Sequence, residues 1–141
     1  MFKNIFKKEK KDNNNNKNIL IAALLIHAAK IDENYTEVEK KIIKKALMNL
    51  NSISEKKAEE LIKIGEEKEH ESNQIVEFTR EVKKNPMEFR LKIIEILWKI
   101  VYSDSTSDNF ESNLIRRVCG LLYVSDKDSG EIKLKVINSI K

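Results

Sequence analysis

Residues 19–50 read ILIAALLIHAAKIDENYTEVEKKIIKKALMNL, and residues 91–122 read LKIIEILWKIVYSDSTSDNFESNLIRRVCGLL. The two stretches align without a gap at an offset of 72 residues, and six of the 32 aligned positions are identical. Each stretch reads as an apolar helix, a polar loop that opens with Asp, a Glu seven residues later, and a second amphipathic helix. This shared pattern predicts a helix-loop-helix unit that is repeated within the chain.

An acidic pair recurs in both copies of the repeat. The pair is Asp32 and Glu39 in the first copy and Asp104 and Glu111 in the second copy. We name the polar stretches that open with Asp32 and Asp104 the first and second acidic loops. Carboxylate oxygens brought together at a loop are ligands that suit Ca²⁺ or Mg²⁺. These four residues are therefore the candidate metal ligands, and a divalent cation is the cofactor that the sequence suggests.

Helix capping is the competing interpretation of the two glutamates. Thr36 and Glu39 have the spacing of a capping box at a helix start, and Asp108 and Glu111 repeat that spacing. Caps of this kind stabilise a helix by about 1 kcal/mol and need no metal. The EF-hand pattern does not fit the first loop, because Ile43 stands where the bidentate glutamate is required. The sequence leaves both interpretations of the acidic pairs open.

Length and composition indicate a single helical domain. The chain of 141 residues is long enough to bury one core. Three Gly and one Pro leave little material for a turn-rich β-fold, whereas the abundant Lys, Glu, Leu, Ile and Ala favour helix. The sequence thus predicts an all-α bundle of about seven helices over residues 18–141, with an internal pseudo-twofold helix-loop-helix repeat.

Capping residues, a proline and apolar periodicity place the individual helices. The second helix is expected to begin at Thr36, the third at Ser54 and the fifth at Pro86. Residues 132–136 alternate like a strand, but their helical surroundings favour a last helix there. The third helix is expected to bury Ala58, Leu61, Ile62 and Gly65, and the fourth, from about Asn73 to Lys84, is expected to bury Ile75, Val76, Phe78, Thr79 and Val82.

The net charge of +4 belongs to the N-terminal segment. Residues 1–17 hold six Lys against Glu9 and Asp12, whereas the remaining 21 basic and 21 acidic side chains cancel. The folded part therefore has no obvious field for phosphate, and no nucleic-acid partner is expected. Four consecutive asparagines, Asn13–Asn16, indicate that residues 1–17 form a flexible basic tail.

The basic tail also bears on membrane contact. On a helix, Phe2, Ile5 and Phe6 would share one face with lysines around them, as in a short interfacial anchor; a solubilising tail is the alternative. The apolar run Ile19–Ala29 is too short to span a bilayer, and its repeat partner lies deep within the chain. We therefore expect a cytoplasmic protein, with a weak peripheral membrane contact through the tail as an open alternative.

The sequence offers no recognisable catalytic constellation. It lacks a glycine-rich phosphate loop, paired cysteines and a helix with two histidines at ligand spacing. His27 lies in the apolar first helix and is expected to be packed or at its edge, whereas His70 lies in a charged run and is expected to be solvated. Cys119 lies among apolar residues, which favours a buried small hydrophobe over a reactive thiol. We accordingly expect no enzyme and no catalytic residues.

Several short motifs lie beyond the first acidic loop in a characteristic order. They read VEFTR at residues 76–80, FRL at 89–91, ILWKIVYSD at 96–104 and LIRR at 114–117. Together with the acidic loops they resemble the TerB family of tellurite-resistance proteins and related domains, over residues 18–140. The resemblance implies an all-helical bundle with internal pseudo-symmetry. It also implies a cytoplasmic, non-enzymatic role in a stress or metal-related response.

The same resemblance implies that the acidic loops bind cations or partners. It places this role on Asp32, Glu39, Asp104 and Glu111, although Glu and Ser follow the two aspartates here where the family usually has Gly. The leading hypothesis is therefore a small helical module that binds a divalent cation or a basic surface of a protein partner. A membrane-proximal adaptor that is held at an anionic surface by its basic tail is the second hypothesis.

Overall fold

Seven α-helices make up the part of the chain that the structure describes, and no strand occurs there. The structure is a computed structural model that describes residues 2–30, 35–71, 74–103 and 109–140, with the backbone alone for residues 2–15, 109–112 and 140. The helices are α1 (Phe2–Lys30), α2 (Glu37–Asn51), α3 (Glu55–Glu71), α4 (Ile75–Lys83), α5 (Met87–Val101), α6 (Asn109–Leu122) and α7 (Asp126–Ile140). The predicted all-α class is confirmed.

A reciprocal cap fixes the start of α2. The Thr36 hydroxyl accepts a hydrogen bond from the Glu39 N–H at 3.2 Å, and the Thr36 N–H donates to Glu39 Oε1 at 3.0 Å. This is the predicted capping box, and the predicted helix start at Thr36 is confirmed. In the second copy α6 begins at Asn109, and the predicted cap Asp108 and the side chain of Glu111 lie outside the described residues.

The junctions between the second and third helices of the two copies are alike. Ser52 and Tyr123 both have left-handed backbone, with φ of 51° and 56°. The next N–H in each copy donates to a carbonyl five residues back, at 3.3 Å and 2.9 Å, which closes the helix end. Ser54 and Ser125 then cap α3 and α7 by accepting the N–H three residues on. These local features recur in both copies, while the pseudo-twofold relation between the copies stays a prediction.

One of the five residues predicted to be buried on α4 is exposed in the structure. Ile75, Phe78 and Val82 are buried, and so is Thr79, whose hydroxyl donates to the Ile75 carbonyl at 2.9 Å. Val76 is instead 54% exposed, so its predicted burial is wrong. The four buried positions recur every three or four residues as one stripe, and Val76 lies about 100° around the helix from Ile75.

The remaining predicted helices are also present, and their apolar segments lie within the observed helices. α5 begins one residue after Pro86, and α3 begins one residue after Ser54. The last segment is helical with Val136 buried, which confirms helix over the alternative of a strand. Asn73, the predicted start of the fourth helix, lies outside the described residues. The predicted inward residues of α3, namely Ala58, Leu61, Ile62 and Gly65, are all buried.

α1 packs against α2, α3, α4 and α5, and its residues 20–29 are buried except at His27, which is partly buried. The backbone is helical from Phe2 onward, through the segment that the sequence predicts to be a flexible tail. Asparagine is a mediocre helix former but does not break a helix as proline does, which allows this continuity. The flexibility of residues 1–17 and the domain boundary at residue 18 stay predictions. No described helix is both long enough and apolar enough to cross a bilayer.

α3 approaches α1 closely at Gly65. A Cβ atom on Gly65 would lie 2.9 Å from Ala22 Cβ and 3.1 Å from Ile26 Cδ1. Both distances are tighter than ordinary van der Waals contact, so a side chain here would push the two helices apart. The close approach brings the C-terminal half of α3 against the end of α1, where the first acidic loop begins.

Candidate functional site

Glu39 is the predicted metal ligand whose side chain the structure describes. Asp32 and Asp104 lie outside the described residues, and so does the side chain of Glu111. Glu39 is 5% exposed, and its Oε1 accepts hydrogen bonds from both the N–H and the hydroxyl of Thr36, each at 3.0 Å. Capping is therefore confirmed for Glu39, while the metal role of all four residues stays a prediction.

A buried carboxylate, Glu69 on α3, fixes the upstream flank of the first acidic loop. Glu69 is 6% exposed. Its Oε1 lies 3.2 Å from His27 Nδ1, and its Oε2 accepts a hydrogen bond from Lys30 Nζ at 3.1 Å. A buried charge without partners would be strongly destabilising. The pairing therefore satisfies Glu69 and ties the last turn of α1 to α3.

His27 completes this cluster on its apolar side. The ring meets Phe78 edge-on, with the ring centroids 6.2 Å apart, and the side chain is largely buried. The expectation of a packed His27 is confirmed, and the structure adds Glu69 as its polar partner. His70, the next residue after Glu69, is exposed, as predicted. The charged run is thus not solvated throughout, because one of its glutamates faces α1.

Tyr35 fixes the downstream flank of the same loop. Its hydroxyl donates to Glu66 Oε1 at 3.2 Å. The Nζ atoms of Lys30 and Lys40 lie 6.0 Å and 4.9 Å from the centroid of its ring, within range of cation–π attraction. Tyr35 is therefore held by α3 through its hydroxyl and by lysines through its ring face.

Carboxylates act on the Tyr35 hydroxyl, whereas Lys30 and Lys40 approach its ring. Burial raises the pKa of its phenol above the usual value, and the charge of Glu66 together with its hydrogen bond raises the pKa further. The charges of Glu37 and Glu39 act in the same direction. Burial and the charges of three glutamates thus all favour the protonated form of the phenol. Carboxylates concentrated beside a loop in this way attract cations and basic side chains.

Glu66 and Glu69, on one face of α3, bind Tyr35 and Lys30, the described residues on either side of 31–34; we name these two glutamates with their partners the loop clamp. The sequence carries a signal for this clamp. Glu66 and Glu69 lie four residues after Ile62 and Gly65, so they extend the buried stripe of α3 by one more turn. A glutamate on the buried face of a helix is expected to have a polar or charged partner on a neighbouring helix, because a buried carboxylate without one is destabilising.

Groups suited to metal binding or nucleophilic chemistry are scarce in the rest of the described chain. There, no group of three or more His, Cys, Asp or Glu side chains is arranged to hold a metal ion. Cys119 is buried, as predicted. Burial raises the pKa of its thiol, although a hydrogen bond with Ser129 opposes the shift. A buried thiol of raised pKa is a poor nucleophile, which favours a packing role for Cys119.

Comparison with known proteins identifies a family for most of the chain. A family model described as tellurite resistance protein TerB matches residues 18–134. The match includes both acidic loops and the loop clamp, and it begins after the basic tail. No curated protein and no solved structure matches the chain.

Proposed function

This chain belongs to the TerB family, and on that basis we propose that it is a non-enzymatic binding module. Its ligand is a divalent cation or a basic surface of a protein partner, and the two acidic loops hold it. The module serves a cytoplasmic stress or metal-related response, in keeping with the description of the family as tellurite-resistance proteins.

The glutamates that act on the Tyr35 hydroxyl are the observation that carries this proposal. The glutamates that raise the pKa of Tyr35 lie on α2 and α3, on the downstream side of the loop. Asp32 and Glu33 add two more carboxylates within the loop sequence. Oxygen ligands of this kind suit Ca²⁺ and Mg²⁺, and the same charges suit lysine and arginine side chains of a partner.

The loop clamp supports the proposal through preorganisation. Lys30 and Tyr35 are fixed to α3 on either side of residues 31–34, at 3.1 Å and 3.2 Å. Ligand binding therefore does not have to order the flanks of the loop. A site whose supports are already fixed loses less entropy on binding than one that must fold around its ligand.

Thermal unfolding of the full chain with Ca²⁺, Mg²⁺, Mn²⁺ or Zn²⁺ tests the cation. An ion at about a hundred times its Kd adds about 2.7 kcal/mol to the free energy of unfolding. We expect such a shift with one of these ions and its loss in the double variant Asp32→Asn, Asp104→Asn. The control variant Glu88→Gln, Glu131→Gln removes equal charge at exposed positions of α5 and α7 and should keep the shift.

A protein partner with a basic surface is the alternative ligand of the same loops. If no ion shifts unfolding, affinity recovery from cell extract should yield a partner on the native chain and on the control variant but not on the Asp32→Asn, Asp104→Asn variant. The proposal fails if the double variant alters neither the response to ions nor the recovery of a partner.

A membrane-proximal adaptor is the second candidate function. The observation in its favour is the helical backbone of residues 2–17, because helix is the conformation that the spacing of Phe2, Ile5 and Phe6 requires. Sedimentation with phosphatidylserine-containing liposomes should recover the full chain and lose it after Phe2→Ser, Phe6→Ser. Equal partitioning of the two proteins would exclude the anchor.

A further inference from the structure

A groove with a volume of about 430 Å³ lies between α2 and α5. Its floor is apolar and is formed by Ile42, Ala46 and Leu50 from α2 and by Ile96 from α5. Ile42 and Leu50 are only partly buried against the core, so part of their apolar surface is left facing the groove. A concave apolar surface with a polar border is typical of a binding site.

Lysines stand along the border of this groove. They are Lys45 on α2 and Lys92 and Lys99 on α5. Glu95 also lines the groove, but its Oε1 lies 3.8 Å from Lys99 Nζ and 4.0 Å from Lys135 Nζ, so its charge is already offset. Among the described side chains, none forms an ion pair with Lys45 or Lys92. The border is therefore positive where these two lysines stand.

The dimensions of the groove fit one short helix. The floor residues Ile42, Ala46 and Leu50 follow one another at intervals of one helical turn. They extend over about 12 Å of α2, which is about two turns. A partner helix that lies in such a groove inserts apolar side chains at i, i+3, i+4 and i+7, a repeat of the same length.

We propose that this groove binds a short amphipathic helix of a partner protein, with apolar side chains on the floor and Asp or Glu side chains against Lys45 and Lys92. Complementary charge at the border selects the partner and speeds association. A bilayer is too flat to reach the floor, and a phosphate backbone has no apolar group to fill it. The site is independent of the acidic loops, which attract the opposite charge.

A display library of helical peptides tests the proposal on the full chain. Its members are about 16 residues long, with Leu at i, i+3, i+4 and i+7 and random residues elsewhere. We expect selection on the native chain to enrich Asp and Glu next to the leucines. The enriched peptides should bind the native chain at least about tenfold more tightly than the variant Lys45→Glu, Lys92→Glu, because like charges then face each other.

The double variant Lys56→Glu, Lys127→Glu is the matched control. It changes the net charge by the same amount at two exposed positions on α3 and α7 that do not line the groove. At physiological salt, distant charges are screened, so its affinity for the peptides should stay within about twofold of the native value. All four lysines are exposed, and thermal unfolding should show both variants to be as stable as the native chain.

Three results would overturn the proposal. The first is enrichment of neutral or basic peptides, and the second is equal affinity of the selected peptides for the native chain and the groove variant. The third comes from sedimentation of the chain alone: a dimer that dissociates in the groove variant but not in the control would place a second copy of this chain in the groove.

Discussion

In the first copy of the repeat, the last turn of α1 is tied to α3 by polar contacts, because Lys30 forms an ion pair with the buried Glu69 and His27 Nδ1 lies 3.2 Å from the same carboxylate. In the second copy, the last turn of α5 is tied to α7 by an aromatic side chain. Trp98 is buried there and donates its Nε1–H to Ser129 Oγ at 3.2 Å. The same helix end is thus secured once by polar contacts to a buried carboxylate and once mainly by packing.

The alignment of the two copies shows which side chains differ at this helix end. At the offset of 72 residues, Lys99 stands in place of His27 and Tyr102 in place of Lys30. Tyr102 stacks on Trp98 with the ring centroids 5.9 Å apart. A duplicated backbone pattern can thus carry different side chains at the positions where its helices meet. Charge-dependent stability lies in the first copy, beside its acidic loop.

Removal of the Trp98 side chain should reduce the free energy of unfolding most. Trp98→Ala removes a buried ring and leaves a cavity between α5 and α7, so we expect the free energy of unfolding to fall by about 3–5 kcal/mol in urea titrations. Trp98→Phe keeps a ring but loses the hydrogen bond to Ser129 and should lose less. A decrease below about 1 kcal/mol for Trp98→Ala would mean that other contacts hold this helix end.

One added methyl group at Gly65 should disrupt the close approach of α3 to α1 in the first copy. Gly65→Ala places a Cβ 2.9 Å from Ala22 Cβ and should lower the free energy of unfolding by about 1–3 kcal/mol. Gly120→Ala, on α6, meets no atom within 4 Å and should raise stability by up to about 1 kcal/mol through helix propensity. Equal changes in the two variants would contradict the close contact of α1 and α3.

Removal of the charge at Glu69 should have a smaller effect. Glu69→Gln weakens the Lys30 ion pair and the His27 contact, but the Lys30 side chain is 36% exposed and partly solvated, so we expect a loss of about 1 kcal/mol. The loss should shrink in high salt, unlike that of Trp98→Ala. Glu67→Gln removes the same charge at an exposed position and should change stability by less than about 0.5 kcal/mol. Indistinguishable results for the two glutamates would refute the clamp.

The smallest change in the free energy of unfolding is expected from the ionisation of Tyr35 at high pH. The pKa of Tyr35 is raised in the folded chain above its usual value of 10.0. Above about pH 10 the unfolded chain releases this proton while the folded chain keeps it, so stability falls as pH rises. Urea titrations at increasing pH should therefore show a steeper loss for the native chain than for Tyr35→Phe. Tyr123→Phe, at an exposed tyrosine, should follow the native curve.

The helices could be predicted because their signals are local. The Thr36 cap depends on residues within one turn, and the stripe of α3 from Ala58 to Gly65 depends only on the period of the helix. Val76 was misplaced because an apolar residue next to a buried stripe looks like part of it. Local patterns therefore determined helix positions well and individual helix faces less well.

The candidate site was harder to predict because its contacts join distant parts of the chain. Glu69 contacts His27 from 42 residues away, at a place where Gly65 lets α3 lie close against α1. The groove between α2 and α5 likewise depends on how two helices from different copies are placed. Such features follow from tertiary packing, which neither composition nor periodicity specifies.

The loop clamp also has a consequence for how this scaffold can change. Because Lys30 and Tyr35 are each anchored to α3, we expect exchange of the intervening residues 31–34 to leave both of these contacts in place. Doubling the length of a flexible segment costs only about 0.6 kcal/mol in closure entropy. The clamp therefore makes this position a natural graft site, where new recognition sequences can be installed on an unchanged helical frame.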